Sequence, residues 1–200
     1  MRKHVGYGAR FDCARLHVET IDADDRVKII DDAAPACACE QFPLDPSSPG
    51  PIKDEEIVTR FLFDPLHRSS RNGKLKPSVF SHVANKGCSI QREQFSNDAD
   101  CANLVRNFLG GGNGRVWWGV VSAKVADIRA IRVPPPKGTI SVCVYDSPDG
   151  DNDAHGELCR AGTYADESDA NLLRAQMFEV FGAVTTEKSY RDGRVHSLLT

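Results

Sequence analysis

The chain lacks any run of apolar residues approaching the roughly 20 that a helix needs to cross a bilayer. The basic opening Met1-Arg2-Lys3-His4 is followed by Val5-Gly6-Tyr7-Gly8-Ala9-Arg10, not by the apolar stretch of a secretory signal. Both absences lead to the expectation of a cytosolic chain with no membrane partner. An excess of one charge is missing as well. Twenty-five Lys and Arg face 28 Asp and Glu, a net charge of -3, so no global field points at nucleic acid or an anionic membrane. Several catalytic signatures are absent: there is no G-x-S-x-G, no H-E-x-x-H and no G-x-G-x-x-G opening a helix. Gly110-Gly111-Gly112-Asn113-Gly114 follows a helical pattern and precedes a strand-like one, the reverse of a phosphate loop. Internal repeats and low-complexity tracts are also missing.

What is present is ordinary globular material. The 200 residues are 40% hydrophobic and 26% charged, enough to bury one sizeable core without staples. Seven cysteines cannot all pair internally, and in a reducing cytosol they are expected as thiols. Cys88, Cys101 and Cys143 sit in apolar-periodic stretches, as small core hydrophobes do.

Residues 1–42 read as an N-terminal arm or small appendage, with strand-like stretches at Ala9 to Val18 and Val27-Lys28-Ile29-Ile30. Residues 43–53, with Pro43, Pro46, Pro49 and Pro51, read as a linker, because each proline removes a backbone donor and restricts its predecessor. Residues 54–200 then form a single core domain. Ile57 to Phe63 is β-branched and aromatic, as in a buried strand, and Cys88 to Arg92 alternates. Asn72-Gly73 signals a tight turn of type I′, and Pro77 to Val83 a short helix. In Asn97 to Leu109, the residues Cys101, Leu104, Val105 and Phe108 share one helical face. Strand-like runs follow at Val116 to Ala123, Asp127 to Val133 and Thr139 to Tyr145. A helix from Ser168 to Phe181 closes the pattern. Strands so closely spaced pair antiparallel, which predicts an α+β fold: about five strands with two or three packed helices.

Six features bear on chemistry. From Pro65 to Arg92 there are six basic residues and no Asp or Glu, with His67 and His82 among them. Arg68, Arg71, Lys74 and Lys76, beside serine hydroxyls and a glycine turn, form a candidate anion-binding surface; the alternative is a solvated hairpin. Arg60 stands within an apolar strand and must face solvent, a partner or a cleft, where it could grip a phosphate or carboxylate. His155-Gly156-Glu157 places a histidine and a carboxylate on one side of a strand, a candidate acid–base pair. The same H-x-E occurs in zinc nucleobase deaminases, but the P-C-x-x-C that completes their metal site is absent here. Asp149, Asp151 and Asp153 alternate like the start of a calcium loop, but Ala154 and Arg160 occupy positions that need glycine and glutamate. Cys37-Ala38-Cys39, with Cys13, His4 and His17 upstream, makes a poor chelate and reads as a thiol pair in a loose arm. No metal site is expected and no cofactor is indicated. Trp117-Trp118 places one ring on each face of its strand, one for the core and one for stacking.

Two functions follow as expectations. The first is a binding or accessory protein meeting an anionic partner: nucleic acid, nucleotide or acidic protein. The second is a small hydrolase or transferase acting on a phosphate-bearing substrate with His155 and Glu157. A cleft shared by His155 and Arg60 or His67 favours the second.

Overall fold

A computed structural model describes residues 12–109, 114–133, 141–147, 152–162 and 167–191, with Asp100 and Glu167 described in their backbone alone. The α-helices named among the described residues are α1 (Cys13–Glu19), α2 (Arg26–Ala33), α3 (Asp98–Leu109), α4 (Val125–Arg129) and α5 (Glu167–Phe181). The strands are β1 (Ile57–Asp64), β2 (Cys88–Arg92), β3 (Val116–Lys124), β4 (Val142–Asp146), β5 (His155–Arg160) and the short β6 (Thr185–Thr186). They form one sheet in the order β4-β5-β2-β1-β3-β6, antiparallel at every pairing. The fold is α+β, with six strands where about five were expected.

The period-2 alternation of the strands sorts their side chains to two faces. One face presents Val58, Leu62, Ile90, Val121, Val144 and Leu158 to the main core, completed by α4, α5 and a 3₁₀ helix at Pro77–Ala84. The other face is covered in two parts. Towards β3, α3 packs Cys101 and Val105 on Phe61, Phe63 and Val120. Towards β4 and β5, residues 13–44 pack Cys13, Val27, Ile30, Cys39 and Leu44 around Tyr145 and Cys159. Between these two covers the sheet face is open.

Three stretches read as strands hold helices among the described residues: Cys13 to Val18 lie in α1, Val27 to Ile30 lie in α2, and Asp127 to Arg129 end α4, with no strand in the residues that follow to Val133. β-branched residues suit either state, and here each stretch turns one side to a neighbour. In α2, Val27 and Ile30, three apart, are both buried. Only Gly73 of the Asn72-Gly73 turn takes a positive φ, +69°, so the turn is not of type I′.

The cysteines overturn a second expectation. Cys13 is bonded to Cys39 and Cys37 to Cys143, so four of the predicted thiols are disulfides, and Cys143 is a crosslink rather than a simple core hydrophobe. Cys37 and Cys39 share one short turn and therefore leave it towards different partners, one within the segment and one in the sheet. Cys88, Cys101 and Cys159 are buried outside these bonds.

Beneath the proline-rich stretch lies a buried ionic network. Arg92 donates to both Glu56 oxygens at 2.9 Å, to Asp146 at 2.9 Å and to the Gly50 carbonyl at 2.8 Å. Every guanidinium nitrogen is thereby satisfied, which is what a fully buried arginine requires.

Candidate functional site

The site begins with an interruption in the sheet. β1 pairs with β3 along its whole length, but with β2 only at Val58↔Arg92 and Thr59↔Gln91. Beyond Thr59 the strands part. The guanidinium of Arg60 spans the gap, its Nη1 donating to the Ser89 carbonyl at 2.7 Å in place of a ladder bond. A cleft of about 690 Å³ opens there, bordered by β1, β2, α3 and the start of β5. That size suits a small molecule.

Two kinds of wall line it. Phe61, Phe63, Leu104 and Phe108 are apolar, with Phe63 and Phe108 stacked at 4.2 Å between ring centroids. Arg60, His67, His82, Gln91, Asn152 and His155 are polar. No Asp or Glu is among the described lining residues, so Arg60 gives this cleft a positive potential.

The polar groups are incompletely used. Arg60 Nε, Gln91 Nε2 and Asn152 Oδ1 are buried and have no hydrogen-bond partner among the described residues. A buried polar atom left unpaired costs free energy, of order 1–3 kcal/mol, so three on one cleft mark a place completed by something else. Gln91 is held by pairing with Thr59 on one side and His155 on the other, which puts one polar row across three strands. The Thr59 hydroxyl is fixed in turn by Glu93, at 2.5 Å.

The histidines are oriented by their backbone contacts. His67 Nδ1 accepts the Phe63 N–H at 3.0 Å, which leaves Nε2–H as the ring's donor. Burial first, then the charges of Arg60, Lys76 and Arg115, push the His67 pKa down to about 3, so the ring is neutral at physiological pH. Burial and then Arg60 lower His82 as well. His155 contacts the Ser147 carbonyl through Nδ1. Since a carbonyl only accepts, Nδ1 is the donor in this contact and Nε2 is the nitrogen it leaves unused.

Of the sequence candidates, Arg60, His67 and His155 therefore share the cleft, and His82 joins them. Glu157 does not line it. Its carboxylate is buried against Arg26 of α2, 2.5 Å from Nη1, behind Gly87. Arg68, Arg71, Lys74 and Lys76 do not line it either. Arg68 pairs with Asp64 at 3.2 Å and lies over the Trp118 ring, while Lys76 donates to the Pro65 carbonyl at 2.7 Å. Lys86 pairs with Asp24 at 2.8 Å. Lys86 and Arg92 of the acid-free stretch thus find their counter-charge in residues distant along the chain, and Arg68, Arg71, Lys74 and Lys86 are its exposed cations. Trp118 packs on the main core, and Trp117 stacks on Phe61 at 5.4 Å.

Sequence reasoning missed Gln91 and Asn152. An amide in a strand or a turn has no distinguishing pattern, and only their orphaned atoms single them out. Asp149 and Asp151 of the calcium-like loop lie outside the described residues. Among the described residues the one group spaced like a set of metal ligands, Cys37, Glu40 and Cys143, has both its sulfurs in a disulfide.

The fold and the cleft together define an antiparallel α+β protein with a positively charged, aromatic-walled pocket at a gap in its sheet. No protein-family model, no curated protein and no solved structure matches the chain.

Proposed function

We propose that the protein binds a small phosphate-bearing ligand, a nucleotide or a similar molecule, in the cleft between β1 and β2. The observation that carries this reading is the set of three unpaired buried polar atoms, on Arg60, Gln91 and Asn152, around an acid-free cleft. Arg60 takes a phosphate oxygen, the aromatic wall takes a planar ring, and the amides of Gln91 and Asn152 take its polar edge. Relative to the broad basic surface expected from sequence, the anion site contracts to Arg60. Nucleic acid and acidic protein become the less favoured partners.

The test is titration calorimetry with nucleoside mono- and diphosphates, the parent nucleosides and inorganic phosphate. Binding of the phosphorylated compounds is expected to weaken about 10–100-fold in Arg60→Ala, the worth of a hydrogen bond to a charged group. Equal binding of nucleoside and nucleotide, or no loss in the variant, would overturn the reading.

Catalysis on that ligand is a second reading, supported by the cleft that His155 shares with Arg60 and His67. His155 Nε2 is the base, and the carboxylate of the H-x-E pair waits behind Gly87. Product release from a bound phosphate ester, lost in His155→Gln while binding persists, is the expected result. Two disulfides suit an oxidising compartment better than the cytosol, so we place the protein's working environment there.

A further inference from the structure

Glu157 is a carboxylate at the edge of the cleft that is held out of it. Its ladder partner Ser89 lines the cleft, and so does Gly87. A Cβ built on Gly87 would lie 3.3 Å from Glu157 Oε1 and 3.2 Å from Arg26 Nη1. Glycine's bare backbone is thus the partition between the ion pair and the open space. What keeps Glu157 on the far side is one residue of α2. Arg26 is fully buried, donates to Glu157 Oε2 at 2.5 Å and to the Lys86 carbonyl at 3.3 Å, and meets His17 Nδ1 at 3.2 Å. Arg26 Nε and His17 Nε2 have no partner among the described residues, so the guanidinium is held there at some cost.

The segment that delivers Arg26 has a modest grip of its own. α1 and α2 span 7 and 8 residues, too short to persist without support. Their apolar contacts are a small cluster on β4 and β5, in which cysteines are prominent. Of the two disulfides, Cys13–Cys39 closes the segment on itself, and Cys37–Cys143 ties it to the sheet across 106 residues of sequence. Other polar ties among the described residues include Glu40 to the Val144 N–H and to Arg129, the Val27 N–H to the Asn85 carbonyl, and, at the surface, Asp24 to Lys86 and Asp31 to the Gly162 N–H. The sheet's main core lies on its opposite face and contains none of residues 13–44.

We propose that residues 13–44 are a redox-locked cover. While the disulfides stand, Arg26 neutralises Glu157. Once they are reduced, the cover detaches and Glu157 faces the cleft as a free carboxylate. Reduction takes two equivalents of a thiol per bond: each disulfide becomes two cysteine thiols, and the reductant becomes its own disulfide. The consequence for ligand chemistry rests on the cleft reading above, but the cover itself can be tested without any ligand.

The test is carboxyl footprinting, with a water-soluble carbodiimide and glycine ethyl ester, combined with hydrogen exchange. Both are read by mass spectrometry on the full chain, with and without a phosphine reductant. The expected result is that Glu157 is modified only after reduction, and residues 13–44 lose exchange protection while β1, β2 and β3 keep theirs. A Cys13→Ser/Cys37→Ser variant, which removes both bonds, should behave without reductant as the reduced protein does. Arg26→Gln should expose Glu157 to modification without releasing the segment. Unchanged Glu157 on reduction would overturn the proposal. So would loss of protection throughout the sheet, since the bonds would then hold the whole fold. A nucleotide that fails to bind while the cover behaves as described would refute the cleft reading alone.

Discussion

At the scale of single residues, environment decides what an identical charge does. Arg15 and Glu19 lie 2.7 Å apart on α1, mostly in water, with side-chain exposures of 71% and 57%. Solvent screens that pair, so Arg15→Ala is expected to leave stability nearly unchanged. Arg92 makes contacts of the same length at 1% exposure. Replacing Arg92 with alanine strands Glu56 and Asp146 as buried carboxylates with no counter-charge. The expected loss is about 3–5 kcal/mol, measured by urea denaturation. A loss below about 1 kcal/mol would mean that water reaches the network. Sequence could not separate these two arginines, nor either from Arg60. Arg60 precedes an apolar run and Arg92 stands between Gln91 and Glu93, and neither setting tells that Ser89 half-pairs the first while Glu56 and Asp146 seal the second, from 29 to 54 residues away.

At the scale of elements, the most legible were those whose pattern matches one neighbour. α3 and α5 fall within a residue or two of their periodic segments, β1 and β3 fall on their strand-like runs, and β2 falls on the alternating Cys88 to Arg92. The short stretches of the N-terminal half were less legible, because four or five apolar residues fit a helix turn and a strand alike. Contact geometry sets the fate of small elements such as β6. Gly119 pairs with Thr186, and a Cβ at Gly119 would lie 2.3 Å from the Thr185 carbonyl oxygen. Gly119→Ala is therefore expected to lift β6 from the sheet edge, with faster amide exchange at Thr185 and Thr186 and unchanged exchange in β1. Unchanged exchange at those two residues would show that the edge can shift to admit a methyl group.

At the scale of the whole molecule, burial of histidine links stability to pH. His17 and His67 are each pushed down to about 3 from the ordinary 6.5, chiefly by burial. Their folded pKa is below the unfolded one, so the unfolded chain takes up protons first as pH falls. The stability they contribute is complete above pH 6.5 and is lost progressively as pH falls from 6.5 towards 3. Asp146, raised by burial to about 6, works oppositely, its contribution being lost as pH rises from 3.8 through 6. Burial also raises Glu40. The His17 contribution is isolated by difference: His17→Gln should show a shallower fall in Tm than wild type between pH 6.5 and 4. Parallel curves would mean that His17 is protonated in the folded state. Among the described residues no helix is long and apolar enough to cross a membrane.

The sequence by itself determined the local preferences: the α+β class, the antiparallel pairing of closely spaced strands, and the longer helices. Those follow from periodicity and turn chemistry, which act over a few residues. It also put Arg60, His67 and His155 forward as candidates on residue type alone. Tertiary structure decided which of them meet. It parted β1 from β2 to make the cleft, placed Gln91 and Asn152 in it, supplied distant counter-charges to Lys86 and Arg92 of the basic stretch, and closed two disulfides over the expected thiols. Each of those outcomes joins residues far apart along the chain. Their physics lies in burial, distance and unsatisfied hydrogen bonds, which come into being only when distant segments pack.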